Sequence, residues 1–444
     1  MKDMKYALAF CALFTTTTAG AQQAKTFEKF FSETLKGEQI AFDEGKKVKV
    51  KNIADCRAKV WQAWVDANRR YEEDKLIDIT PLEKANSGKW TLPEALEPHA
   101  VMPYYFGSKG ECPEKGYPLF LHLHGSGPKE GEWAASIAWA KRFDDAPSVF
   151  FIPQIPNEGQ YYRWQIQSKQ YAYEKLFRQA FLNPSINPDR LYVMGISEGG
   201  YGSQRFASFY ADYIAAAGPM AGGEPLKNAP VENCRNIGFS LLTGDLDNGF
   251  YRRILTTYTK EAFDSIQTIH PDGYRHRIEL IPGKGHGFDY SPTTPWLKQF
   301  VRNPWPKAFT WEDMEMSDRH RPGFYNIIVN KRPDEKLRTR YDVEIKENVV
   351  NVKVQNVHYT TIQKDPHWGI EMKFAKSYSP VEGGKFTLYF DEHLVDLTKK
   401  VVVNVNGKEV FNGKLKCNSA NMATTLATFY DPQRIYPAAV EVDL

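Results

Sequence analysis

The chain has 444 residues, enough for two or three domains and a sizeable core. Hydrophobic residues make up 42% and charged residues 25%, the balance of an ordinary folded protein, which excludes a disordered or fibrous chain. Lys and Arg number 57 against 54 Asp and Glu, and a net charge of +3 gives no general attraction to nucleic acid or to an anionic membrane.

The first predicted element is an address. Lys2 and Lys5 precede an apolar run over 6–14, a Thr run follows, and Ala19-Gly20-Ala21 closes it in an A-x-A arrangement. This layout predicts a signal peptide over 1–21, cut after Ala21, and hence a secreted or periplasmic protein. The apolar run is shorter than the roughly 20 residues a membrane-spanning helix needs. No later stretch is longer, so no transmembrane segment is expected. Removing the signal removes Cys11 and leaves Cys56, Cys112, Cys234 and Cys417. They lack the close paired spacing of a zinc site. They read as buried thiols with at most one or two disulfides, whose pairing the spacing leaves open.

Residues 22–99 read as a helical leader packed on the larger body. Val60, Trp61, Trp64, Val65 and Tyr71 recur at three- and four-residue spacing, one face of an amphipathic helix. The run 45–51 alternates Lys with Val and reads as a solvated strand face. Residues 100–305 alternate apolar strands (117–124, 148–153, 190–194, 237–242, 277–281) with helical stretches such as 171–181 and 202–213. That pattern predicts an α/β domain, a mostly parallel sheet covered on both faces, with ligands bound beyond the carboxyl ends of the strands. Asn303-Pro304-Trp305-Pro306 reads as a linker. Residues 306–444 then carry short alternating segments, and Asn406-Gly407 sits between two of them as a hairpin turn. An all-β, sandwich-like domain of structural or interfacial role is expected there.

The chemistry is concentrated at strand ends. Gly195, Ser197 and Gly199 form G-x-S-x-G directly after the strand 190–194 and before a helical stretch. A strand–turn–helix context makes this a nucleophile elbow, with Ser197 as nucleophile. His124-Gly125-Ser126-Gly127 ends an earlier strand. Acyl transfer needs N–H donors where the oxyanion forms, and the backbone N–H groups of Ser126 and Glu198 are the candidates. Asp245 and Asp247 follow the strand 237–242, and His286 lies between Gly285 and Gly287 after the last strand of the zone. A histidine flanked by glycines has an open approach to Ser197 and is the candidate base. Substrate contact is expected from the loop 154–164, which carries Tyr162, Arg163 and Trp164, and from Glu224 at the same rim. Flat aromatic faces suit a sugar or apolar ring, and the Arg fork suits a carboxylate.

Residues 100–300 resemble the α/β-hydrolase superfamily, in the branch of secreted bacterial esterases, prolyl-oligopeptidase-like peptidases and polyhydroxybutyrate-depolymerase-like proteins. The tail, with 401–407, resembles β domains appended to such hydrolases. The resemblance implies a triad in the order nucleophile, acid, base. It selects Asp247, three residues after Gly244, as the acid. It implies a serine hydrolase that needs no cofactor and no metal. A carboxylesterase acting on a small-molecule or polysaccharide-derived ester is the reading that follows. A serine peptidase is the alternative, set back because only about 80 residues precede the sheet, too few for a propeller. A carbohydrate-binding protein without activity would have no use for a complete triad.

Overall fold

The computed structural model describes residues 22–38, 40–42, 45–71 and 75–444. The predicted signal peptide, with Cys11, lies outside the described residues. Strands β1 (Gln22–Ala24) and β2 (Ile40–Phe42) pair in parallel around helix α1 (Phe27–Leu35). Thr26 caps α1, its Oγ1 accepting from the Lys29 N–H at 3.2 Å, which satisfies one orphan donor of the first turn. Helix α2 (Ile53–Arg70) buries Val60 and Trp64 from the predicted apolar face. The run 45–51 forms no strand. Lys47 makes one isolated bridge to Asn418, and Val50–Asn52 is a tight turn into α2. Alternation alone makes a strand only where a neighbouring edge is free to pair, and here the chain feeds a helix.

The central sheet has nine strands. In chain order its elements are β3 (Thr80–Pro81), β4 (Ser87–Thr91), β5 (Val101–Lys109), β6 (Tyr117–Leu123), α3 (Lys129–Arg142), β7 (Ser148–Pro153), α4 (Gln167–Leu182), β8 (Ile186–Ile196), α5 (Glu198–Phe209), β9 (Ala216–Met220), β10 (Gly238–Gly244), α6 (Arg252–Ile269), β11 (His276–Ile281) and α7 (Thr293–Leu297). The spatial order is β11-β10-β9-β8-β6-β7-β5-β3, with β4 also on β5. Strands β7, β6, β8, β9, β10 and β11 are mutually parallel, and β5 runs antiparallel to β7. The chain places β7 on one side of β6 and β8 on the other. The carboxyl ends of β6 and β8 therefore flank the point where the winding reverses, the place where such sheets leave a crevice.

Period-two alternation sorts the inner strands. Leu119, Leu121 and Leu123 of β6, with Val149 and Phe151 of β7, face one core. Phe120, Phe150 and Ile152 face the other, against Ile137, Ala140 and Phe143 of the α3 side and Leu297 of α7. Each fully buried large side chain contributes about 1.5–3 kcal/mol. The first core runs on without a break into Trp64 of α2 and into the C-terminal strands.

Those strands are β12 (Ala308–Glu312), β13 (Gly323–Phe324), β14 (Ile327–Lys331), β15 (Arg338–Lys346), β16 (Val349–Lys364), β17 (Glu371–Pro380), β18 (Lys385–Phe390), β19 (Lys400–Val405), β20 (Lys408–Lys414) and, after helix α8 (Ser419–Phe429), β21 (Ala438–Asp443). One sheet has the order β12-β15-β16-β19-β20 with β17 on β16, and the other β13-β14-β18-β21. Two features depart from the sequence reading. The expected strand over 324–329 is broken at Tyr325, which turns the chain at φ 50° between β13 and β14. The zone is not all-β, because α8 buries Met422, Leu426 and Phe429. Cys56, Cys112, Cys234 and Cys417 are all unpaired. No described helix is long and apolar enough to cross a membrane.

Candidate active site

Ser197 stands at the junction of β8 and α5 with φ 57° and ψ −114°, a conformation that bulky L-residues avoid and that a sharp elbow requires. Its neighbours must be glycine. A Cβ on Gly195 would fall 2.3 Å from the Gly199 carbonyl oxygen, and one on Gly199 would fall 2.0 Å from that of Leu123. The Ser197 N–H donates to Met220 O at 3.0 Å, tying the elbow to β9. Helix α5 starts at Glu198, so its positive end faces Ser197.

The structure brings Ser197, His286 and Asp247 together. His286 Nε2 lies 3.0 Å from Ser197 Oγ, and His286 Nδ1 lies 2.7 Å from Asp247 Oδ2. The carboxylate can only accept, so Nδ1 carries a proton and Nε2 is free to receive one. Tyr290 donates its hydroxyl to His286 O at 2.6 Å and steadies the loop. Asp245, two residues earlier, spends its N–H on Ile281 O and does not reach the imidazole.

Asp247 has a second partner that the sequence reading missed. Arg252 at the head of α6 grips both carboxylate oxygens, Nη2 to Oδ1 at 2.7 Å and Nε to Oδ2 at 2.8 Å. Burial raises the carboxyl, but Arg252 and His286 together hold it below its ordinary value. Nothing in the sequence marks Arg252 over Arg253. Only the helix start decides which guanidinium turns inward.

The turn 125–127 abuts the nucleophile, since a Cβ on Gly125 would lie 3.5 Å from Ser197 Cβ. Its carbonyls are pinned from behind. His124 Nδ1 lies 2.7 Å from Gly125 O and must be the protonated nitrogen, while Nε2 accepts from the Ile155 N–H at 3.0 Å. Burial pushes this ring down to about 4, so it stays neutral. The Tyr162 hydroxyl donates to Gly125 O at 3.3 Å and Gly127 O at 3.2 Å, and Trp164 Nε1 donates to His124 O at 2.9 Å. Carbonyls held from that side leave the backbone N–H groups of Ser126 and Glu198 without an intramolecular acceptor. That is the state an oxyanion donor needs.

Three expected substrate contacts are corrected. Trp164 is 1% exposed and wedged against Gly202 of α5. Tyr162 is buried against the turn 125–127. Both rings face inward because the loop 154–164 packs down to brace the turn. Glu224 is buried too, its carboxylate taken by Arg205 Nε at 2.6 Å and Asn228 Nδ2 at 3.0 Å. Arg163 alone of the four stays at the rim, its side chain 53% exposed and Nη1 3.9 Å from Glu198 Oε2. The Glu198 side chain is the unexpected neighbour. It is half-buried with Oε1 enclosed and unpartnered, and desolvation, aided by the nearby Glu224 and opposed by Arg163, pushes it up to about 7.

No family model matches the chain. Over 195 residues it is 26% identical to Poly(3-hydroxyalkanoate) depolymerase C of Paucimonas lemoignei, covering 39% of this chain and 46% of that protein. The chain thus spans less than half the length of that curated relative. Among solved structures it is similar to a thermostable esterase (20% identity, 50% of this chain and 64% of that one, TM-score 0.40). It is also similar to esterase 2 of Thermogutta terrifontis (12% identity, 47% and 86%, TM-score 0.38) and to a ferulic acid esterase (15% identity, 48% and 95%, TM-score 0.36). The strand order, the Ser197 elbow between β8 and α5, and the order Ser197, Asp247, His286 after β8, β10 and β11 identify the fold of the central sheet as that of the α/β-hydrolases.

Proposed function

We propose that the chain is a serine carboxylesterase that acts on esterified carbohydrate through an acyl-enzyme. The observation that carries this reading is the unbroken relay from Ser197 Oγ through His286 to Asp247, at 3.0 and 2.7 Å. In the reaction His286 Nε2 takes the Ser197 proton as Oγ attacks the ester carbonyl. The N–H groups of Glu198 and Ser126 hold the oxyanion. Asp247 fixes the imidazole tautomer and stabilises its charged form. The protonated imidazole passes its proton to the leaving alcohol, and water, deprotonated by the same nitrogen, then releases the acid. An ester substrate is in keeping with the relative from Paucimonas lemoignei, by name a depolymerase of poly(3-hydroxyalkanoate), whose monomers are joined through ester bonds. Export is part of the same proposal and rests on the composition of residues 1–21.

A fluorophosphonate probe and a panel of p-nitrophenyl, acetyl-sugar and feruloyl-sugar esters, with aminoacyl anilides as the peptidase arm, test the reading. The wild type is expected to be labelled and to cleave esters. Ser197→Ala should lose labelling and about ten-thousand-fold or more of turnover with its fold intact, because the hydroxyl leaves no core cavity. Labelling that persists in Ser197→Ala assigns the nucleophile elsewhere. Anilide turnover exceeding ester turnover replaces esterase by peptidase.

A further inference from the structure

Eleven large apolar side chains are exposed among the described residues, and four of them lie on the loop that carries Asp247 and on a hairpin end that touches this loop. Leu246 and Phe250 belong to the loop after β10, and Ile362 and Trp368 to the end of the β16–β17 hairpin. Phe250 is 50% and Trp368 58% exposed, yet their rings meet, with centroids 5.2 Å apart and planes tilted by 51°. One ring comes from the α/β sheet and the other from the C-terminal strands.

The pair is held in place from both sides. Phe250 and Tyr251 are consecutive left-handed residues, at φ 48° and 62°, where large side chains are outliers. The Tyr251 hydroxyl donates to the carboxylate of Asp365, which also accepts from the Trp368 N–H. Asp365 is itself buried, and its backbone closes the tip, N–H to Ile370 O at 2.8 Å and O from the Gly369 N–H at 3.1 Å. On the other side the Arg252 guanidinium sits 5.8 Å from the Phe250 ring while it grips Asp247. The Leu246 N–H donates to Lys284 O in the loop that carries His286. From Trp368 the contacts reach the triad through Phe250 and Arg252. A strained backbone that holds two apolar rings in water, one side chain from a catalytic centre, points to a ligand stacked on them.

We propose that Phe250 and Trp368 form a subsite for a sugar ring of the ester substrate, an inference that rests on the serine-esterase reading. The C–H face of a pyranose packs on an aromatic face, and the exposed His367 next to Trp368 offers a polar group to its hydroxyls. A docked protein would need on the order of 800 Å² of surface. A wedge of two tilted rings suits a single ring. The C-terminal hairpin then acts in recognition, and the hydrolase elements alone make an incomplete substrate site.

The test uses the full chain as wild type, Trp368→Ala, Trp368→Phe and Phe250→Ala, assayed on an acetylated xylo-oligosaccharide and on p-nitrophenyl acetate. Trp368→Ala and Phe250→Ala should lose about tenfold more kcat/KM on the sugar ester than on the small ester, and Trp368→Phe should recover most of that difference. Calorimetric binding of the acetylated oligosaccharide to Ser197→Ala should weaken about tenfold when Trp368→Ala is added. Turnover of the sugar ester by wild type with equal losses on both esters, or unchanged binding, overturns the subsite and leaves the esterase reading standing. Absence of ester turnover and of fluorophosphonate labelling in the wild type overturns both.

Discussion

Glu198 carries two opposed properties in one residue. Its backbone N–H is the oxyanion donor of the proposed mechanism, while its side chain is a half-buried carboxyl pushed up to about 7. Protonation of that carboxyl is favoured in the folded state over the unfolded chain, where it titrates near 4.5. Its folded pKa is raised, so the stability it contributes is full below about 4.5 and is lost as pH rises through about 7. The loss is of the order of 3 kcal/mol at 1.36 kcal/mol per unit. Glu198→Gln keeps the shape and abolishes the titration. Thermal melts of the two proteins should run close together at pH 4.5 and diverge by pH 8, with Glu198→Gln the more stable. A constant offset across that range would place no desolvated carboxyl at this position. The G-x-S-x-G pattern located this residue, but the pattern says nothing of a side chain at its fourth position. The Trp164 backbone and the Arg163 guanidinium, some 35 residues earlier in the chain, meet this carboxyl.

The loop 154–164 turns Tyr162 and Trp164 inward and leaves Arg163 at the rim. It leaves β7 at the end of the sheet that holds the triad, as its position after 148–153 implied. Its rings turn inward because the hydroxyl of Tyr162 and the indole N–H of Trp164 find carbonyls on the turn 124–127. An amphipathic aromatic in a loop either takes a ligand or takes an internal acceptor, and sequence does not distinguish the two. The consequence is a positioning role. Tyr162→Phe removes the donor to Gly125 O and Gly127 O and keeps the ring. The expected outcome is a fall in kcat of about 10–100-fold on large and small esters alike, with little change in KM, because the donors it orients act on the transition state. An unchanged kcat, or a KM effect confined to large esters, would return Tyr162 to substrate contact.

The whole molecule is joined by one core and by a buried ion network. Asp212, just after α5, is bound by Arg321 and by Arg434 Nη1 at 2.5 Å. Asp431 holds Arg302 at 2.6 Å and Arg434 at 2.8 Å. Arg434, between α8 and β21, thus bridges carboxylates from the α/β part and from the C-terminal part. Replacing it leaves two buried carboxylates short of a partner, at a cost of about 3–5 kcal/mol. Urea unfolding of Arg434→Met should show that loss in a single transition for the chain. A loss below about 1 kcal/mol, or two separate transitions, would mean the two parts do not fold as a unit. By itself the sequence determined whatever rests on local pattern. Apolar runs alternating with helical stretches marked the sheet strands, glycines flanked the elbow where any Cβ collides, and Ser197, Asp247 and His286 each followed a strand. Those signals are short-range because sterics and side-chain alternation act within a few residues. Tertiary structure alone decided the rest. It chose Arg252 over Arg253 on Asp247, buried Trp164 and Glu224, broke the strand at Tyr325, and set Trp368 against Phe250 across more than a hundred residues. The Trp368–Phe250 contact and the burial of Trp164 depend on which surface a side chain meets once distant segments pack, while Arg252 and Tyr325 lie within a few residues of their partners but are oriented by a helix start and a turn that local pattern does not reveal.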